Sequence, residues 1–239
     1  MDWKVSVVKR AMDLVGAAAG LAVTAPFYPV IAAAIWADNP GPIFYSQVRV
    51  GRTHATADPL KGDLPTFKMW KFRSMRIDAE RGGARLASAN DDRVTRVGKF
   101  LRKTRLDELP QFWCVLTGDM SIVGPRPERP ELVRTLAAAI PMFEERTRMV
   151  RPGITGLAQV SLDYLGRMPA DSELARLKDT LLNPLKLEEL EGSLADDMRT
   201  KLLFDLAYAA RLEDFWTFLR TDLEIIVRTP AVMLGARGR

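Results

Sequence analysis

The chain has 239 residues, 47% of them hydrophobic, with 35 basic and 30 acidic side chains and a formal net charge of +5. That length holds one main domain with an appendage and a real core, and the charge fits a nucleic acid, an anionic membrane or a phosphorylated substrate without choosing among them. A single cysteine, Cys114, excludes an internal disulfide, and a single histidine, His54, argues against a histidine-built zinc site or a Ser-His-Asp triad.

From Leu14 to Ala37 the chain carries no charge. Those 24 residues would extend about 36 Å as a straight helix, enough for a bilayer core. Pro26 and Pro29 sit inside the run and should kink it. Lys4, Lys9 and Arg10 precede it and Arg49 and Arg52 follow it. Basic residues on both flanks favour leaving both ends in the cytoplasm. These features predict a re-entrant hairpin in one leaflet, bent at the prolines, over residues 1–38. A spanning anchor, a signal peptide and a buried helix pair are the competing readings.

Residues 39–239 then read as a cytoplasmic catalytic domain, opened by the breaker cluster Asn39-Pro40-Gly41-Pro42. Ile43–Val50 and Thr66–Arg73 are rich in aromatic and β-branched residues and form a predicted pair of strands around a polar loop. Lys71 and Arg73 lie near the second strand's end, facing either an anionic ligand or solvent. Asp78–Ala89, centred on Gly82-Gly83, reads as mobile. Asp91 or Asp92 is the expected cap of a basic amphipathic helix with Val94, Val97 and Leu101 on its apolar side, suited to anionic headgroups or simply to solvent.

The most informative stretch runs from Leu101 to Glu128. Pro110 is well placed in a first helical turn, so Asp107 and Glu108 should open a helix that runs to about Thr117 and ends at Gly118. Adjacent helical residues diverge by about 100°, so the two carboxylates can do different jobs, for example attack on a phosphorus by one and help in holding a metal by the other. Acidic residues in a first turn also serve as plain dipole complements. Arg126, between Pro125 and Pro127, is presented from a stiff loop, which suits bidentate phosphate binding or a structural ion pair. Arg151-Pro152-Gly153 starts a second rigid turn carrying an arginine. Glu131–Val150 is expected to be helical with a break at Pro141, and Leu162–Asp197 is charged with a helical tendency. Lys201–Leu219 and Asp222–Arg228 read as amphipathic helices, packed in the core or resting at an interface. There is no GxxxxGK[ST] loop and no GxGxxG after a strand. The fold class is therefore α+β and mostly helical, with a membrane hairpin, a small β-hairpin and amphipathic helices around a compact catalytic domain.

Seven segments, in order, resemble the bacterial sugar transferase family, the monotopic phosphoglycosyl transferases: Lys9-Arg10 with Asp13, Pro26, PGPIFYSQVRVG, KFRSM, LDELPQ, GDMSIVGPRPE and RPGITG. The resemblance implies transfer of a sugar-1-phosphate from a UDP-sugar to a polyprenyl phosphate, normally undecaprenyl phosphate, with release of UMP. It implies that Asp107 is the nucleophile of a covalent phosphosugar intermediate and that Asp107 and Glu108 lie at a Mg²⁺ ion. Lys71, Arg73, Arg126 and Arg151 match basic motif positions and are the phosphate-binding candidates. It further implies the bacterial inner membrane, cytoplasmic face, one leaflet of lipid and no nucleic acid; a homodimer is compatible with it. The chain departs from the family at Ala25, often Ser, at Cys114, usually Asn, and in two longer loops where sugar choice would lie. Two alternatives stay open: direct attack by the lipid phosphate with Asp107 only a metal ligand, and a basic membrane adaptor. The adaptor has only charge in its favour, without a recognition helix or stacking platform.

Overall fold

The structure is a computed structural model that describes residues 1–54, 59, 61, 63–79, 91–148, 150–162 and 192–234. The predicted mobile stretch beyond Ala79 and most of Leu162–Asp197 lie outside the described residues. Helix α1 (Trp3–Thr24) starts at Asp2, whose carboxylate accepts the Lys4 amide, and α2 (Phe27–Asp38) follows at a bend of 61°. Pro26 at the break brings no N–H to continue α1, whereas Pro29 falls in the first turn of α2, where none is needed. The hydroxyl bond that Ala25 cannot make comes from Thr24, which donates to the Gly20 carbonyl at 2.7 Å. Among the described residues no single helix is long and apolar enough to cross a membrane, but α1 and α2 together are.

Strands β1 (Phe44–Val50) and β2 (Thr66–Phe72) form the expected antiparallel hairpin, with Phe44 opposite Phe72 and Val50 opposite Thr66. Side chains on a strand alternate between faces. Phe67 and Met69 therefore face one way, into a cluster with Cys114 and Val115. Phe72 faces the other way and packs with Tyr28, Phe44, Ile31, Ile35 and Leu101, which fastens the β-hairpin to α2. Helix α3 (Arg96–Thr104) is capped by Thr95, whose hydroxyl accepts the Gly98 amide at 3.0 Å, not by Asp91 or Asp92. Asp91 is drawn instead into an ion pair with Arg93 at 2.6 Å.

After α3 the backbone turns through Arg105, held at φ 57°, into a 3₁₀ turn (Leu106–Glu108), and helix α4 follows (Gln111–Thr117). The acidic pair thus occupies its own turn ahead of α4 and not the first turn of that helix. Pro110 marks the division: it is the N-cap of α4, and without an N–H it cannot carry the hydrogen-bond ladder on from the turn before it. Gly118, at φ 92°, ends α4 as expected. Strand β3 (Ser121–Val123) and β4 (Gly153–Thr155), both hidden in what reads as turn sequence, pair in parallel. Between them lie α5 (Pro130–Ala139) and a 3₁₀ turn (Phe143–Thr147), so the expected Glu131–Val150 helix stops before Pro141. Short α6 (Leu157–Ser161) follows β4. The C-terminal helices are α7 (Gly192–Arg211) and α8 (Phe215–Leu234), with their break at Leu212–Asp214 and not near Arg220.

Gly124, Gly153 and Gly156 lock the two parallel strands' flanks together. A Cβ on Gly124 would strike the Arg151 carbonyl, one on Gly153 the Gly124 amide, and one on Gly156 the Gly124 carbonyl. The basic pair ahead of the apolar run is spent inside the protein. Lys9 donates to the Val123 carbonyl (2.9 Å), the Tyr208 hydroxyl (2.8 Å) and Asp222 (2.7 Å), tying α1 to β3, α7 and α8. Arg10 holds the Val115 and Leu116 carbonyls at the end of α4, where a cation complements the helix dipole. Asp13 accepts from the Ser121 hydroxyl and the Ile122 amide, both at 2.8 Å.

Lys9 and Asp222 are both buried, with side chains 7% and 4% exposed. Removing one partner should strand the other charge, at a cost of about 3–5 kcal/mol. Thermal unfolding in detergent should therefore show a large loss for Lys9→Met and a substantial recovery in Lys9→Met/Asp222→Asn.

Candidate active site

Three elements converge on the carboxylate of Glu108. The end of β2 brings Lys71, whose ammonium donates to Glu108 Oε1 at 2.8 Å. The proline loop after β3 brings Arg126, which donates to the same oxygen at 2.8 Å. Arg105, immediately before the 3₁₀ turn, lies 3.9 Å from it. Burial pushes the Glu108 carboxyl up, but Arg126, Lys71 and Arg105 together outweigh burial and hold it well below the usual carboxylate range. Arg126 is stabilised as a cation chiefly by Glu108. Lys71 is pushed down by burial, which Glu108 only partly offsets because Arg126 repels it.

Asp107 is treated differently by its surroundings. It is 6% exposed, and its Oδ1 has no hydrogen-bond partner. Burial, then the neighbouring Glu108 charge, raises its carboxyl to about 6, against the pull of Lys71, Arg105 and Arg126. Four residues on, Gln111 is 2% exposed and its amide nitrogen is also unpartnered. A buried polar group left unpaired costs about 1–3 kcal/mol, so both atoms are held ready at some expense in stability. The two carboxylates therefore differ in kind. Glu108 is a neutralised anchor, and Asp107 is a buried carboxylate with a free oxygen.

The loop that presents Arg126 is fixed mainly through its carbonyls. Lys9 and Tyr208 hold that of Val123, Arg146 that of Arg126 (3.1 Å) and Arg49 that of Pro127 (3.1 Å). Gly153 donates to the Pro125 carbonyl and Val50 to that of Glu128. Arg146 is itself paired with buried Asp205 at 2.7 Å. Two prolines remove backbone donors from this loop, and buried cations supply donors to its acceptors.

The phosphate-binding candidates of the sequence separate into three places. Lys71 and Arg126 meet at Glu108. Arg73 is committed to the end of α2, donating to the Asn39 side chain at 2.9 Å and to the Asn39 carbonyl. Arg151 lies with Arg10, Arg52 and Asp13 in a shallow cleft beside Ser121, where burial and the two other arginines lower its affinity for a proton. Arg105 joins the site although sequence reasoning did not single it out. Its signal was its position two residues before the acidic pair, one basic residue among several in the stretch.

Among the described residues no group of three or more His, Cys, Asp or Glu side chains gathers to hold a metal. Mg²⁺ is usually held by one or two carboxylates with substrate phosphates completing its shell. Asp107 Oδ1, buried and free, fits that mode, with Glu108 alongside.

A family model described as bacterial sugar transferase matches residues 4–236. A putative undecaprenyl-phosphate N-acetylgalactosaminyl 1-phosphate transferase of Bacillus subtilis (strain 168) is 48% identical over 139 residues, which cover 58% of this chain and 72% of the relative. A UDP-N-acetylgalactosamine-undecaprenyl-phosphate N-acetylgalactosaminephosphotransferase of Aeromonas hydrophila is 43% identical over 171 residues, 72% of this chain and 37% of the relative. A UDP-glucose:undecaprenyl-phosphate glucose-1-phosphate transferase of Xanthomonas campestris pv. campestris is 35% identical over 232 residues, 97% of this chain and 40% of the relative. The chain thus spans most of the first relative and well under half of the other two. With its match running almost from end to end, the chain belongs to the bacterial sugar transferase family.

Proposed function

We propose that the protein transfers a sugar-1-phosphate from a UDP-sugar to a polyprenyl phosphate, releasing UMP, as the first membrane step of glycan assembly. The observation that carries this reading is the contrast at the dyad: a buried Asp107 with a free oxygen beside a Glu108 saturated by cations. The names of the relatives support the substrate class, since each couples undecaprenyl phosphate to transfer of a sugar phosphate.

Asp107 attacks the phosphorus that bears the sugar. A carboxylate–phosphorus bond forms, the diphosphate bridge breaks, and its electron pair leaves on the phosphate of UMP. The polyprenyl phosphate then attacks the same phosphorus and Asp107 leaves as carboxylate. The covalent intermediate divides one displacement between two anions into two steps. Lys71, Arg105 and Arg126 carry three positive charges against two on the ionised dyad, so the surplus stabilises a phosphoryl group in transfer. Asp107, with Glu108 alongside, would hold Mg²⁺, which when bound would supply charge neutralisation of the diphosphate. Arg151 binds a further phosphate oxygen in its own cleft, whereas Arg73 acts by holding the strand end that carries Lys71. The bent pair α1–α2 is read as a re-entrant anchor in the cytoplasmic leaflet of the inner membrane, which sets the dyad near the headgroups where a lipid phosphate and a cytosolic nucleotide sugar can meet. That arrangement rests on the fastening of α2 to β2 through Phe72 and through Arg73 and Asn39.

UMP release measured across a panel of UDP-sugars, starting with UDP-N-acetylgalactosamine and UDP-glucose, should occur with at least one donor in the presence of undecaprenyl phosphate and Mg²⁺. Asp107→Asn should abolish it, and intact-protein mass spectrometry of wild type given donor alone should show an added sugar phosphate on Asp107. Adduct-free protein that still turns over would mean direct attack by the lipid phosphate.

The raised carboxyl of Asp107 fixes the sign of two pH effects. Catalysis needs the anion, so the rate should climb as pH rises through about 6 and level off above it. Stability runs the other way: a group that binds its proton more tightly when folded favours folding at low pH and loses that contribution as pH rises. Asp107→Asn should therefore be more stable than wild type at pH 8 and equal to it at pH 4 in matched denaturant titrations.

A further inference from the structure

Of the two unpartnered buried atoms in the active site, the chemistry above uses Asp107 Oδ1 and leaves Gln111 Nε2 without a task. Gln111 opens α4 directly after the turn of the dyad. The winding between them is of the tight 3₁₀ kind, since the amides of Leu109, Phe112 and Trp113 reach the carbonyls of Leu106, Leu109 and Pro110, each three residues back. Positions three apart align on such a turn. Gln111 thus follows Glu108 on one row, one position along from Asp107.

An amide NH₂ is a donor only, so what it lacks is an acceptor. Glu108 Oε1 cannot serve well, because Lys71 and Arg126 already donate to it. A methionine or leucine would fill the same buried volume without stranding a donor. A ligand that brings its own oxygens to Asp107 would provide the acceptor, and a phosphoryl group carries nonbridging oxygens that suit it.

We propose that Gln111 is a catalytic residue whose Nε2 donates to a nonbridging oxygen of the sugar-bearing phosphoryl group as Asp107 attacks it. This rests on the transferase reading given above. A neutral donor has a specific advantage at this point. It orients the phosphoryl group beside the nucleophile without adding a cation, which would lower the basicity of Asp107 and weaken it as a nucleophile. The hydrogen bond forms only with ligand present, so its contribution falls on the chemical step and not on the folded state.

The test compares wild type with Gln111→Met and Gln111→Leu, reading both stability and kinetics with whichever UDP-sugar the wild type accepts. The expected result is an unchanged or raised melting temperature in both variants, with kcat lowered tenfold or more, KM for the donor changed much less, and a slower build-up of the Asp107 adduct in a single turnover. Wild-type kcat in the variants would overturn the proposal, as would lost activity that follows a lowered melting temperature, since the amide would then be structural. Absence of UMP release from wild type would overturn the transferase reading beneath it and the proposal with it. Release by wild type and variants alike would overturn this proposal alone.

Discussion

The structure depends on one buried carboxylate being outnumbered. Glu108 draws Lys71 from β2, Arg126 from the proline loop and Arg105 from the end of α3 to one oxygen or its vicinity. Without Glu108 those cations would repel one another. Without the cations Glu108 would be a costly buried charge. The pairing therefore gathers three separate chain segments around one point, and it leaves more positive charge than it neutralises. The surplus suits an anionic ligand.

The rest of the molecule serves to keep that point still. The proline loop cannot hydrogen bond as a strand or helix would, so its carbonyls are taken by side chains anchored elsewhere: Lys9 against Asp222 and Arg146 against Asp205. Each of these buried ion pairs reaches from the loop to a different helix. The result is a loop without regular structure but with a fixed shape, which is what a positioned arginine needs.

Much of this was legible in the sequence, and what was not has identifiable physical causes. The β-hairpin, the bend at Pro26 and the stop at Gly118 follow from propensity and breaker residues, whereas Lys71 became a phosphate-binding candidate only through the family resemblance. Strands β3 and β4 did not show, because three-residue strands flanked by glycine and proline carry no readable alternation. The separate turn of Asp107 and Glu108 was missed because proline is compatible with a first turn as well as with a cap. Lys9 and Arg10 read as flanking charges, as basic residues before an apolar run usually are; only the fold shows that carbonyls and Asp222 consume them. Arg73 shows the limit of reading a basic residue as a phosphate ligand, since its place at the strand end decides what it meets.

The interlocked glycines have a consequence for how this protein can diverge. Gly124, Gly153 and Gly156 occupy one another's space, so a side chain at any of them would push apart the two turns that carry Arg126 and Arg151. The three positions can change only together, and a change through single steps meets a barrier at the first. Variation is thereby steered away from this region, leaving the surroundings of Arg126 as a fixed part around which the rest of the chain can change.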